Sequence, residues 1–334
     1  MKSEDMVSGF AGRFEIIRRR RIPFLHSPLL TLHSCKWADR RSVHLLFIGA
    51  SAILNGMTKK GKGGIGLVLA IDVGNSSTTI GLFDERGHKT FHSVLGTDKG
   101  STRDQCAVRL MDVFHLYRAD ISTVTGTVIS SVVPPITSAM CSAVELLTGR
   151  RPILMGPGVK TGLNIRSEIH AQLGTDIVAF SVAAIAKYPS PLVVIDMGTA
   201  ITMSLLRGNI YDGCIIMPGV RVSLEALSQE AAALPHIAIQ PPDSILGRNT
   251  VDAMRSGVIY GNASMVDGML DRIEDEIGGK LAAVVATGAA SPEVLHHCRH
   301  KIHYDADLLL DGLYLIYQKN TAQRQHRGQT ESEI

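Results

Sequence analysis

The feature that most limits the folds open to this chain is a pattern it carries twice. An apolar run, Leu67 to Ile71, ends in Asp72-Val73-Gly74-Asn75-Ser76-Ser77-Thr78-Thr79 and is followed by a second apolar run, Ile80 to Phe83. Leu192 to Ile195 likewise ends in Asp196-Met197-Gly198-Thr199-Ala200-Ile201-Thr202 and is followed by Met203 to Leu206. Both read as strand, Ile-Asp-x-Gly-x-x-x-Thr, returning strand, and the two aspartates lie 124 positions apart. Unbroken apolar runs of this kind suit strands buried in a sheet. A repeat on this scale predicts two similar domains, each opening with a strand–turn–strand unit.

The turns carry chemistry as well as shape. Glycine lets backbone N–H groups approach an anion closely, and small hydroxyls add donors. An aspartate cannot hold phosphate at neutral pH unless a cation lies between them. One such turn is commonly only a β-turn; two in the same register, facing across a cleft, suit a polyphosphate–metal complex gripped from both sides. G-x-x-x-x-G-K-[ST] is absent, which excludes a P-loop kinase. Leu173-Gly174-Thr175-Asp176 opens a predicted helix and reads either as a helix cap or as a third acidic element. Ala286-Thr287-Gly288-Ala289 is a strand end followed by a small-residue turn that could admit an adenine ring.

Apolar spacing predicts helices over Arg103–Tyr117, Gly174–Lys187 and Val220–Ala233, and strands over Val128–Val133 and Ala282–Ala286. This mixture argues for α/β architecture with helices on the sheet faces. The first 66 residues read differently. They hold twelve Lys and Arg against four Asp and Glu, leaving the remainder with 22 basic and 27 acidic residues. A weakly acidic body gives no support to nucleic-acid binding. The expected organisation is a disordered or non-native extension over 1–66, domains over 67–185 and 186–320, and a flexible tail over 321–334. Gly61 to Gly66 matches G-x-G-x-x-G but precedes a strand instead of following one, so a linker is expected. Five widely spaced cysteines without C-x-x-C suit reduced cytoplasmic thiols. No apolar run is long enough to span a bilayer. The histidine-rich stretch His296 to His303 lacks acidic or cysteine partners at ligand spacing, and a solvated segment is expected.

Taken together, Asp72-Val-Gly-Asn-Ser76, Ser130-Ser-Val-Val-Pro134, Thr161-Gly-Leu163, Leu173-Gly-Thr-Asp176, Asp196-Met-Gly-Thr-Ala200, Pro218 to Leu227, Gly247-Arg-Asn-Thr250 and Ala286-Thr-Gly288 resemble type III pantothenate kinases in order and spacing. The resemblance implies two ribonuclease-H-like (actin-like ATPase) domains with mixed sheets flanked by helices. It implies ATP-dependent phosphorylation of pantothenate to 4′-phosphopantothenate, the first step of coenzyme A biosynthesis, in a cytoplasmic homodimer with no nucleic-acid or membrane partner. By the same resemblance Asp72, Val73, Gly74, Asn75, Ser76, Ser77, Thr78, Thr79 and Thr199 meet ATP, with Asp72 organising Mg²⁺. Asp196 holds a monovalent cation, K⁺ or NH₄⁺. Asp176 is the general base, and Gly174, Thr175, Ile177 and Thr250 match substrate-contacting positions. The chain departs from the family pattern at Ile177, usually arginine, at Ala289, usually glycine, and at Ser204, commonly acidic. The alternatives are a kinase for another small hydroxyl substrate and a non-catalytic nucleotide-binding regulator.

Overall fold

The computed structural model describes residues 66–165 and 173–330. The expectations for the basic extension, and for all of the glycine-rich linker except Gly66, lie outside the described residues.

Strand β1 (Leu67–Val73) turns back at Gly74, whose N–H donates to the Ser77 carbonyl at 2.9 Å, into antiparallel β2 (Ser77–Phe83). Strand β3 (Lys89–Gly96) extends the hairpin, while β4 (Val124–Ser131) joins the other side of β1 in parallel, followed by β5 (Ile153–Leu154). The sheet order is β3-β2-β1-β4-β5. The second sheet repeats that order and those directions with β9 (Ile210–Pro218), β8 (Ala200–Arg207), β7 (Leu192–Met197), β10 (Ala283–Thr287) and β11 (His303–Tyr304). Short β6 (Asn164–Ile165) adds to its edge beside β9. The duplicated sequence pattern is thus a duplicated sheet.

Helices α1 (Arg103–Leu116) and α2 (Pro134–Thr148) cover the outer face of the first sheet. Thr102 and Gln105 cap α1 reciprocally, and Gly149 ends α2 in the left-handed conformation at φ 68°. Helix α4 (Val220–Glu230) and the long α5 (Thr250–Ile277) cover the outer face of the second sheet, and α6 (Ser291–Leu295) follows β10. Between the sheets lie α3 (Thr175–Lys187) and α7 (Leu308–Thr330). Every residue of α3 from Val178 to Ala184 is buried. Its Val178, Ala179 and Val182 pack towards Val68 and Phe83, and its Phe180 and Ala183 towards Leu192 and Val194. A helix apolar on nearly all sides belongs inside a protein, and burying each of its Val and Phe side chains contributes roughly 1.5–3 kcal/mol, each alanine less. The helix that carries Asp176 is therefore clamped by both sheets.

Two features differ from the sequence expectation. Helix α7 continues to Thr330 and so takes in residues 321–330 of the expected tail, although its last turns are polar. It also packs against the first sheet, with Leu310, Leu313 and Tyr314 in one cluster with Val68 and Phe83, so the C-terminal segment closes the first lobe.

Candidate active site

Parallel pairing of β1 with β4 sets Asp72 beside Ser130, and the matching pairing of β7 with β10 sets Asp196 beside Thr287. Asp72 is 6% exposed. Ser130 Oγ, wholly buried, donates to Asp72 Oδ1 at 2.6 Å, and Thr175 Oγ1 lies 3.0 Å from the same Ser130 oxygen. A serine hydroxyl has one proton to give. With that proton committed to Asp72, Thr175 is the donor to Ser130, and the relay runs Thr175 to Ser130 to Asp72. Asp72 Oδ2 turns towards the Gly74 end of the hairpin.

Asp176 stands in the first turn of α3. Its Oδ1 accepts from the Ile177 N–H at 2.8 Å, which is the capping role open from sequence. Gly174 is the residue before the helix, and a β-carbon there would lie 2.2 Å from Asp176 Oδ1, so glycine is required for this carboxylate orientation. The three acids sense one another. Burial, opposed by the Ser130 hydrogen bond and reinforced by the charge of Asp176, pushes Asp72 up to about 7. Burial and then the charges of Asp176 and Asp72 push Asp196 up to about 7. Burial likewise raises Asp176, against hydrogen bonds from the Ile177 N–H and its own. Carboxylates gathered this way are relieved near neutral pH by taking up a proton or by a cation beside them.

The two turns meet directly. Ser76 Oγ lies 3.1 Å from Thr199 Oγ1, across the boundary between the lobes. Arg221 Nη2 donates to the same Ser76 oxygen at 3.1 Å. Of the other predicted nucleotide contacts, Asn75 is exposed and accepts from Lys99 Nζ at 3.3 Å. Ser77 begins β2, and Thr79 is the cross-strand partner of Asp72. The side chains of Val73 and Thr78 are not presented to this site: Val73 packs in the outer core, and Thr78 Oγ1 lies 2.9 Å from Thr97 Oγ1. These two positions offer only backbone. Thr202, the cross-strand partner of Asp196, has a buried hydroxyl with no hydrogen-bond partner among the described residues.

Ile177 is half-buried and packs on the core cluster that contains Phe180, Leu192 and Tyr211. Ser204 is buried and hydrogen-bonds to Tyr211 at 3.1 Å, so no acid stands at that position. In the adenine turn, Gly288 takes φ +95°, and a β-carbon there would lie 2.7 Å from the Met197 backbone. Ala289 is exposed and lacks a positive φ, so its methyl group is accommodated. Thr250 is not brought to the acids. It lines a separate cavity of about 560 Å³ with Leu227, Leu234, Asn249 and Met254. Sequence reasoning passed over Ser130 and Arg221, which were only letters in longer motifs.

Among the described residues no cluster of three His, Cys, Asp or Glu could hold a metal ion. The histidine-rich stretch instead packs on α5, with His300 Nε2 2.9 Å from Asp271 and the Arg299 and His300 N–H groups donating to Asp267. The described cysteines are free, and no described helix is long and apolar enough to cross a membrane.

A family model described as type III pantothenate kinase matches residues 68–272. A type III pantothenate kinase from Exiguobacterium sp. is 38% identical over 255 residues, covering 76% of this chain and 99% of that protein. One from Koribacter versatilis is 36% identical over 274 residues, covering 78% and 99%. Among solved structures, the activator of 2-hydroxyisocaproyl-CoA dehydratase from Clostridium difficile with bound ADPNP aligns at a TM-score of 0.48 and 11% identity, over 78% of this chain and 97% of that one.

Proposed function

The chain belongs to the type III pantothenate kinase family, and from that premise we propose that it transfers the γ-phosphoryl group of ATP to the hydroxyl of pantothenate, with Asp176 as general base. The observation that carries this reading is the convergence of three carboxylates, Asp72 buried and Asp176 and Asp196 half-buried, where two phosphate-type turns touch.

The hydroxyl oxygen of pantothenate forms a bond to the γ-phosphorus, the bond to the β,γ-bridging oxygen breaks, and ADP and 4′-phosphopantothenate result. Asp176 accepts the hydroxyl proton as that bond forms; burial keeps its proton affinity above that of an ordinary carboxylate, which suits a base working near neutral pH. The Gly74 and Gly198 N–H groups are taken by the Ser77 and Ala200 carbonyls, so other backbone N–H groups of the two turns would orient the phosphates. The donor set fits two kinds of cation. Asp72 keeps Oδ2 free beside the first turn and would hold Mg²⁺, a hard ion suited to carboxylate and phosphate oxygens. Asp196, with the orphaned Thr202 hydroxyl across the strand, would hold K⁺ or NH₄⁺. When bound, such ions neutralise phosphate charge as it shifts in the transition state.

Thr250 would reach an acceptor from a second copy of the chain. Leu227, Ile245 and Leu246 are exposed apolar side chains near its cavity, which suits a homodimer contact there. A second reading, a different small hydroxyl acceptor, is favoured by Ile177, whose apolar packing supplies no donor for an acceptor carboxylate.

Pantothenate-dependent ADP release with Mg²⁺ and K⁺ tests the proposal. Asp176→Asn should lower kcat by about 10²–10⁴-fold while ATP-analogue binding persists. ADP release that ignores pantothenate, or survives this substitution, refutes it.

A further inference from the structure

ATP would bring several negative charges to the two turns, beside three carboxylates that already repel one another. Neither phosphate turn offsets them with a side chain, because Asp72 to Thr79 and Asp196 to Thr202 contain no lysine or arginine. A cationic side chain must reach in from elsewhere, unless bound metal ions carry the whole load.

Arg221 meets that need. It is the second residue of α4, and the start of that helix is fixed to the second turn. The Gly219 N–H donates to the Thr199 carbonyl at 3.1 Å, and a β-carbon at Gly219 would lie 2.3 Å from that carbonyl oxygen. From this anchored position Arg221 Nη2 reaches the opposite lobe and donates to Ser76 Oγ at 3.1 Å, where Ser76 also touches Thr199. Its neighbour Glu225 holds it weakly: the pair is 3.9 Å apart and both side chains are more than half exposed. Lys99, by contrast, donates to Asn75 within the first lobe. Arg221 therefore spans both turns and is free to exchange one oxygen partner for another.

We propose that Arg221 is a phosphate-binding residue of the transfer reaction, its guanidinium leaving Ser76 Oγ for the terminal phosphate oxygens of ATP as these enter between the two turns. A guanidinium presents paired donors to phosphate, and lysine in its place supplies only a point charge. The inference rests on the kinase reading for its substrate, yet its binding test is independent of the acceptor.

The full-length chain and its Arg221→Gln and Arg221→Lys variants are compared in binding of Mg²⁺·AMP-PNP, in binding of adenosine, and in pantothenate-dependent ADP release. Arg221→Gln should weaken AMP-PNP binding at least about 10-fold, leave adenosine binding unchanged, and lower kcat/KM for ATP about 100-fold or more. Arg221→Lys should fall between the two. Unchanged AMP-PNP affinity in Arg221→Gln, or equal losses for adenosine and AMP-PNP, overturns the proposal. If the wild type binds AMP-PNP but releases no ADP with pantothenate, the acceptor assignment fails while the binding comparison still decides the role of Arg221.

Discussion

At Asp72 the Ser130 hydroxyl decides which carboxylate oxygen stays free, because it takes Oδ1 and leaves Oδ2 facing the turn. Ser130→Ala leaves a buried carboxylate short of a donor, at a cost of about 1–3 kcal/mol. Denaturant unfolding should show that loss, and Ser130→Thr should recover most of it; an alanine variant as stable as the parent would remove Ser130 from the account. Gly174 governs the other acid. The 2.2 Å approach of a β-carbon to Asp176 Oδ1 predicts that Gly174→Ala turns the carboxylate aside. Turnover should then fall about 10-fold or more while KM for ATP holds, since a misplaced catalytic group costs rate more than nucleotide affinity. An unchanged kcat would contradict this.

At the scale of elements, the two β-hairpins position everything else, and each depends on close backbone approach. Gly288, at φ +95° and with no room for a β-carbon against Met197, must be glycine, whereas exposed Ala289 need not be. Gly288→Ala should raise KM for ATP and lower stability, and Ala289→Gly should change KM less than about twofold because nothing crowds its methyl group. Steady-state kinetics of the pair separates the two positions. The hairpins were legible in sequence because an apolar run and a glycine turn are local signals. Their third strands were not. In β3, buried Phe91 and Ser93 alternate with polar or exposed residues on a sheet edge, and in β9 Asp212 and Gly213 cut the apolar pattern before the short run Cys214 to Met217, so neither strand reads as one continuous apolar segment. Helix α5 was missed because Gly257, Gly261 and Gly268 interrupt its pattern, although Asn249 caps it. Asp72, Asp176 and Asp196 could be named as candidates from motifs alone. The roles of Ser130 and Arg221 could not, because they arise from strand pairing across 58 positions and from contact between lobes across 145.

For the whole molecule, the acids at the cleft couple folding to pH. Asp72 and Asp196 bind their protons more tightly folded, at about 7, than at their ordinary 3.8. Between about pH 4 and 7 the folded chain therefore holds more protons than the unfolded one, and stability falls as pH rises through that window. His92, lowered from 6.5 chiefly by burial, acts in the opposite sense over part of it. The slope is accordingly read as a difference between the parent and Asp72→Asn. The parent should lose about 5 °C or more in Tm between pH 5 and 8 relative to that variant, and Mg²⁺·AMP-PNP with K⁺ should restore it; parallel curves would contradict the coupling. The account as a whole holds that both lobes and the clamped helix act on one nucleotide and one acceptor. Its most direct test is ³¹P-resolved turnover of ATP and pantothenate by the full chain and by Asp72→Asn, Asp196→Asn and Asp176→Asn. The prediction is equal amounts of ADP and phosphopantothenate from the parent, and a fall in kcat/KM of about 100-fold or more in each variant. Near-parental turnover in any one of the three would mean that the acids do not share a reaction.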